Sequence, residues 1–448
     1  MLTYKLSDKN KFMSLYSCVR DDILHGRLKE GDRLPSKRAL AENLAVSVVT
    51  VQTAYEQLLA EGYIYSKERS GYFVADVNLD FREVKKSVLN KEEKKDGYAL
   101  DFVKGGAPAE LFPFSVWAKL MRRVLSECGE HLLERIPSDG DIQLKCAIAD
   151  YLYRARGIET QPEYVVIGAG AEYLYGIIVQ LLGRDKTFAA ENPGYGAISA
   201  CYKLNGANCV YVSVGAQGVS VDEVEKSGAD VLHISPSHQF PTGAVTPSSV
   251  RARLIGWANG GDRYIIEDDY DSEFRLSGKP LQCMQSLCPE KVIYMNTFSK
   301  SLAPSMRLGY MVLPPKLYER YLKIFGKTAC AVPVFEQKTL ALMLDEGYFE
   351  RHINRLKQRY KRLGKAVKEK VRNLFENCVI EDTGSGLHML AYFRDAPSDG
   401  YIKKAAEKLG VRIKCVSDYF QIPSSGYERR AVINFSGITE NALNAIKK

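Results

Sequence analysis

A chain of 448 residues is too long for one compact core, so two or more domains are expected. With 46% hydrophobic and 26% charged residues it reads as an ordinary globular protein, and no apolar run approaches the roughly 18 residues of a membrane span. A formal charge of +8 permits nucleic-acid contact without demanding it, and the ten cysteines, with no CxxC pair, exclude a disulfide framework. The opening MLTYKLSDKNKF is no secretory signal, so reduced thiols in a cytoplasm are expected.

In chain order, Leu15, Val19 and Ile23 recur at helical spacing in a segment that Gly26 ends. Pro35 and Ser36 mark the next helix start, with Ser36 as N-cap and Ala39, Leu40 and Leu44 as its apolar stripe. After a tight connection at Ala45-Val46, Ser47 caps a further helix. Its Val51, Tyr55 and Leu58 face inward, and Val48, Thr50 and Gln52 face out. Tyr63–Tyr65 and Tyr72–Val74 are short β-like runs around the polar tip KERSG. Helix, helix, turn, helix and hairpin compose a winged helix-turn-helix over residues 1–76, whose recognition helix starts at Ser47.

The stretch LPSKRALAENLAVSVVTVQTAYEQLLAEGYIYSKERSGYFV closely resembles the GntR-type winged helix. That resemblance implies a double-stranded DNA operator as partner. It assigns the contacts to Arg38, Ser47, Thr50 and Gln52, and in the wing to Lys67, Arg69 and Gly71. Val48 and Val49 depart from the family, which often has arginine or another polar residue after the opening Ser or Thr. An apolar contact to a thymine methyl can stand in there.

Residues 77–100, which include NLDFREVKKSVLNKEEKKD, are dense in charge and lack sustained periodicity, as in a flexible linker. From residue 101 to residue 448, strand-like runs alternate with helical stretches, which argues for an α/β fold. Tyr164–Ile167 reads as a strand and Glu172–Leu182 as a helix. The Gly168-Ala169-Gly170-Ala171 turn between them opens backbone N–H groups to an anion. The strand Tyr264–Ile266 runs into Glu267-Asp268-Asp269-Tyr270-Asp271. Four acids so close repel one another unless a cation is present, and a protonated pyridine nitrogen would serve. Clustered oxygens also suit a hard divalent cation, but no further ligand set accompanies them, so no metal is expected.

The stretch Lys291–Tyr310 organises the rest. Val292–Met295 is an apolar strand that breaks into Thr297, Ser299 and Lys300; Pro304 stops any helix, and Arg307 precedes a second strand, 308–313. A lysine leaving a buried strand sits where α/β sheets place their ligands, and hydroxyls with an arginine supply donors for a phosphate. Together they suit a pyridoxal-phosphate site with Lys300 forming the imine.

GAGAEYL, ENPGYGA, SPSHQFPTG, IIEDDYDSEFR and NTFSKSLAPSMRLGYMVLP follow the order found in fold-type-I aminotransferases. With the winged helix added, the chain resembles the MocR subgroup of GntR regulators. The resemblance implies a large α/β pyridoxal-phosphate domain with a smaller C-terminal α+β subdomain. It makes Lys300 the Schiff-base lysine, Asp268 the partner of the pyridine nitrogen, Tyr270 the contact of the phenolic oxygen and Tyr195 the residue stacked on the ring. Gly170, Ala171, Thr297, Ser299 and Arg307 would surround the phosphate, and a head-to-tail homodimer is implied.

Some enzyme features are missing. Phe240, preceded by His238 and Gln239, stands where aminotransferases usually place an asparagine. Val432 stands roughly where they carry a carboxylate-binding arginine, and Ala197 where some of the regulators have one. Arg412 is the candidate replacement clamp for an effector carboxylate. The expected function is a DNA-binding regulator that senses pyridoxal phosphate or a small amine or amino acid through aldimine chemistry at Lys300, with at most weak or half-transamination. The alternative is an aminotransferase carrying a fused winged helix.

Overall fold

Side-chain caps decide where the N-terminal helices begin. In the computed structural model, which describes residues 2–4, 6, 10–77, 97–275, 282–384 and 386–445, Asn10, Ser36 and Ser47 each accept a backbone N–H from the first turn of their helix. Those helices are α1 (Lys11–Leu24), α2 (Lys37–Asn43) and α3 (Val48–Ala60). Leu15, Val19, Val51, Tyr55 and Leu58 are buried among them as their spacing requires. The stripe of α2 differs from expectation: Leu40 and Ala41 are buried, whereas Ala39 and Leu44 are only half-buried. The helix is seven residues long, and Leu44 is already its C-cap. Strands β1 (Ile64–Lys67) and β2 (Gly71–Val74) form the wing, with Lys67 opposite Gly71. A bridge from Arg33 to Phe73 adds a third edge.

Residues 1–95 and 96–448 are separate compact units. The expected linker lies mostly outside the described residues. Its far end, however, is already built into the second unit, because β3 (Leu100–Asp101) pairs with a strand near residue 411.

The second unit is organised by an eight-stranded sheet. Its members are β4 (Val165–Gly168), β5 (Thr187–Asn192), β6 (Asn208–Gly215), β7 (Gly218–Val219), β8 (Val231–Ile234), β9 (Tyr264–Asp268), β10 (Val292–Thr297) and β11 (Gly309–Val312). Their order is β4-β11-β10-β9-β8-β5-β6-β7, with only β11 and β7 running against the rest. Alternate residues enter opposite cores. Ile293, Met295 and Met311 pack under the helices 171–182 and 315–325, while Tyr294, Tyr310 and Val312 face the other side. Helices therefore cover both faces, and β4, β8 and β11 are buried along their whole length.

A 27-residue helix, Tyr348–Leu374, leads to the smaller C-terminal subdomain, an antiparallel sheet flanked by the helix Asp399–Lys408. Its strands are β12 (Cys378–Glu381), β13 (His388–Phe393), β15 (Lys414–Cys415) and β16 (Arg430–Asn434), while β14 (Val411–Arg412) pairs with β3. The consequence for function lies in the large sheet. β4, β5, β8, β9 and β10 run parallel and end at one edge, the place where such sheets bind ligands.

Candidate functional site

The turn after β4 is shaped for close approach. Gly170 has φ +88°, and a Cβ there would lie 2.9 Å from the guanidinium carbon of Arg307. Arg307 itself adopts left-handed φ 50° after the single turn Pro304–Met306, and its guanidinium also meets Glu172 at 3.5 Å. Ala171 opens the helix 171–182, so its first-turn N–H groups and Arg307 lie at one end of the site. Thr297 ends β10 opposite Gly309, and Ser299 is half-buried in the turn that follows. An empty Cβ position under a guanidinium, beside a helix start and two hydroxyls, fits a phosphate group.

At the end of β9, Asp268 accepts a hydrogen bond from the Tyr175 hydroxyl at 2.7 Å and faces His233 Nε2 at 3.3 Å. The Tyr202 hydroxyl bonds the other nitrogen of His233, and all four side chains are buried. Burial, then Asp268, pushes the Tyr175 phenol well up, so it stays a donor. A carboxylate held this way suits a protonated ring nitrogen.

The other acids correct the sequence reading, because the protein neutralises them itself. Glu267 accepts backbone N–H groups of Met284 and Gln285 at 3.0 and 2.9 Å, and burial raises it to about 7. Asp269 pairs with Arg156 at 2.7 Å and accepts from Tyr294 at 2.8 Å; Asp271 faces His238 at 2.8 Å. Repulsion among the four therefore does not call for an outside cation. Among the described residues no group of three or more His, Cys, Asp or Glu is placed to hold a metal.

Lys300 sits in the turn after β10. Burial pushes its ammonium down, partly offset by Asp271, and a depressed lysine is the better nucleophile. A Cβ on Gly105 would come within 2.4 Å of the Asn434 amide nitrogen and 3.2 Å of Lys300 Nζ, so glycine here leaves space for both side chains. His352 of the long helix bonds the neighbouring Ser301 carbonyl at 2.8 Å and pins that turn. Tyr270, after β9, lies with its hydroxyl 3.3 Å from His238 Nδ1. Tyr195, 55% exposed, meets Phe240 edge-on at 6.5 Å. Burial, Glu172 and Asp268 raise the Tyr195 phenol and Arg307 lowers it, so all three charges lie within its reach.

The strand-end geometry thus brings Lys300, Asp268, Tyr270, Tyr195, Gly170 and Arg307 to one edge from four separate connections. Arg412 is engaged elsewhere, 3.5 Å from Asp101 and over the Tyr98 ring. Val432 is buried among Leu390, Val416, Phe240 and Tyr419. Gln239 is structural: it is fully buried and bonds the Pro193 carbonyl and the Thr242 N–H. Sequence reasoning missed Gly105, Tyr175, His233 and His352, which act through contacts far along the chain. His238 was visible only as a residue preceding Phe240.

On the winged helix, the Ser47 and Thr50 hydroxyls bond each other at 2.8 Å, and Gln52 reaches Glu56 at 2.7 Å. Val48 and Val49 are 42% and 70% exposed, so the start of α3 presents apolar as well as polar groups. Arg38 is exposed on α2, Arg69 takes φ 57° at the wing tip, Gly71 takes φ 112°, and Lys67 lies over Tyr65 and Phe73.

Residues 13–74 match the gntR family of bacterial regulatory proteins, and residues 107–411 match class I and II aminotransferases. The HTH-type transcriptional regulator YdeL of Bacillus subtilis is 35% identical over 98% of this chain and 95% of its own. The probable rhizopine catabolism regulatory protein MocR of Rhizobium meliloti is 32% identical, over 96% and 90%. Kynurenine aminotransferase of Pyrococcus horikoshii, a solved structure, superposes with TM-score 0.67 over 79% of this chain and 90% of its own; at 21% identity it shows the fold. All ten cysteines are free, and among the described residues no helix is long and apolar enough to cross a membrane. The chain belongs to the MocR subgroup of GntR regulators, DNA-binding transcriptional regulators that join a winged helix to a pyridoxal-phosphate-dependent domain of the aminotransferase fold.

Proposed function

We propose that this regulator, acting in the cytoplasm, holds pyridoxal phosphate through Lys300 and senses either the cofactor or a small amine or amino acid that takes the place of the lysine. When bound, the cofactor supplies an aldehyde that condenses with primary amines and a ring that withdraws electrons. The chain's own residues do the rest. Gly170, Ala171, Thr297, Ser299 and Arg307 bind the phosphate; Asp268 holds the proton on the ring nitrogen; Tyr270 donates to the phenolic oxygen; Tyr195 covers the ring. The supporting observation is the single sheet edge where these residues meet a half-buried lysine whose ammonium is pushed down. Arg38, Ser47, Thr50, Gln52 and the wing residues Lys67, Arg69 and Gly71 meet the operator.

We take the partner to be a second copy in a head-to-tail homodimer, as the family resemblance implies. A nearly complete switch needs a ligand that favours one state by about 5.5 kcal/mol, within reach of a covalent adduct. The name of a Corynebacterium glutamicum relative, 28% identical over 95% of this chain, ties it to pyridoxine biosynthesis, which favours the cofactor itself as one signal.

Borohydride reduction of the loaded protein, followed by digestion, tests this reading. The pyridoxyl label is expected on Lys300 and is abolished by Lys300→Ala; label on another residue, or none, overturns it. The second reading, a working aminotransferase, is supported by the lysine, aspartate and tyrosine grouped at the sheet edge, although Phe240 stands in place of the usual asparagine. Catalytic release of a keto acid without DNA affinity would establish it.

A further inference from the structure

His238, on the connection after β8, belongs neither to the phosphate cradle nor to the lysine turn, yet it touches both halves of the effector unit. Its Nδ1 lies 2.8 Å from Asp271 Oδ2 and 3.3 Å from the Tyr270 hydroxyl. Its Nε2 lies 3.0 Å from the carbonyl oxygen of Thr383, between β12 and β13 in the C-terminal subdomain. A second histidine answers from that side. His388, the first residue of β13, meets the Pro241 carbonyl at 3.2 Å, and the two rings lie 5.1 Å apart. Gly243 leaves no room for a Cβ against Thr383, so the turn and the subdomain are in close contact here.

A carbonyl oxygen can only accept, so Nε2 keeps its proton whether the imidazole is neutral or charged. Everything then depends on Nδ1. When it carries a proton it donates to Asp271, and the Tyr270 hydroxyl keeps its own proton for another acceptor. When Nδ1 carries a lone pair, the Tyr270 O–H beside it is the donor available to it, shared with the Asp271 carboxylate to which that hydroxyl is also hydrogen-bonded. We propose that His238 is a positioning residue for Tyr270: its Nδ1 decides whether that hydroxyl turns back to the imidazole or donates into the cofactor site. This rests on the reading above that Tyr270 faces the phenolic oxygen of the cofactor.

The surrounding charges favour the protonated ring. Burial opposes a charge on His238, but Asp271 and the Thr383 carbonyl outweigh it and hold the imidazole above its ordinary value; Arg275 opposes them. His388 is kept neutral, pushed down to about 3 by burial, with smaller contributions from His238 and Lys300, so it adds no charge near neutral pH. Asp271, the carboxylate that faces His238, also raises Lys300 against its burial. Because Thr383 fixes the Nε2 proton, the choice at Nδ1 also depends on the C-terminal subdomain staying in place.

The test follows the visible absorbance of the loaded protein between about pH 5.5 and 9, where an imidazole titrates. A hydrogen bond to the phenolic oxygen stabilises its anion, so Tyr270→Phe should raise the midpoint of that titration. An unmoved midpoint overturns the placement of Tyr270 and the proposal with it. His238→Asn should shift the midpoint in the natural background and leave it alone in the Tyr270→Phe background. No shift in either, or equal shifts in both, overturns the proposal while the placement of Tyr270 stands. Cofactor-free protein with nitrogen-15-labelled histidine gives an independent readout. There Tyr270→Phe, which removes a donor to the neutral ring, should raise the His238 pKa by roughly half a unit, and Asp271→Asn should lower it. A His238 titration indifferent to both substitutions overturns the proposal even if the variants bind no cofactor.

Discussion

In the winged helix, the candidate DNA-facing side chains are held by near neighbours: Ser47 by Thr50, Gln52 by Glu56. In the effector unit they are held from far along the chain. Tyr175 and Asp268 are 93 positions apart, and His238 and Thr383 are 145 apart. A locally held surface forms as soon as its helix does, whereas the cofactor site exists only once the whole sheet is assembled. Substitutions in the first unit should therefore act within it, and those in the second should act on the site through packing and electrostatics.

The largest expected effect tests whether the two units are energetically separate. Leu58 is fully buried in the small core, and Leu58→Ala should cost that unit about 2–5 kcal/mol. Calorimetry of the full chain should show the low transition falling while the effector transition stays put; a joint shift would break the comparison. Gly170→Ala should lower the effector transition by about 1–3 kcal/mol through backbone strain and also weaken the cofactor roughly tenfold to a hundredfold, because its Cβ meets Arg307 at a positive φ. Equilibrium dialysis reads that change, and unaltered affinity would remove the pair from the cradle.

A smaller effect concerns pH. Burial raises Glu273 to about 7 in the folded chain, well above its ordinary value. Its favourable contribution is complete below about pH 4.5 and is lost as pH rises through about 7, so Glu273→Gln should flatten the fall in effector-unit stability by roughly 1–2 kcal/mol. His388 works in the opposite sense: its depressed value favours the fold above about pH 6.5 and is lost as pH falls through about 3. The difference between variant and natural protein isolates the glutamate; parallel pH curves would deny it this role. Arg38→Ala should weaken operator binding a few-fold and reduce the salt slope by about 1. An unchanged slope would take Arg38 off the DNA.

The same contrast explains what the sequence revealed. Ser36 and Ser47 were legible as caps because the groups they bond lie three positions on. The strand exits at the GAGA turn and before Lys300 were legible from the apolar runs that precede them. The acid run was misread because charge was counted without partners: Arg156, His238 and the backbone at Met284 are brought in by the fold. Gly105 gave no signal, since its requirement comes from Asn434 and, less tightly, Lys300, both far along the chain. The short α2 stripe failed for a simpler reason, because a seven-residue helix has room for only two inward residues.

The entry of the chain into its second unit has a further consequence. Ala99 bonds the Gly410 carbonyl at 2.8 Å, β3 runs beside β14, and Gly105 arrives against the Lys300 amine. The chain is thus paired to the C-terminal subdomain at residues 99–101 and reaches Lys300 a few residues later. Crowding at Lys300 would therefore be met by the ribbon that also carries the edge pairing of the C-terminal subdomain.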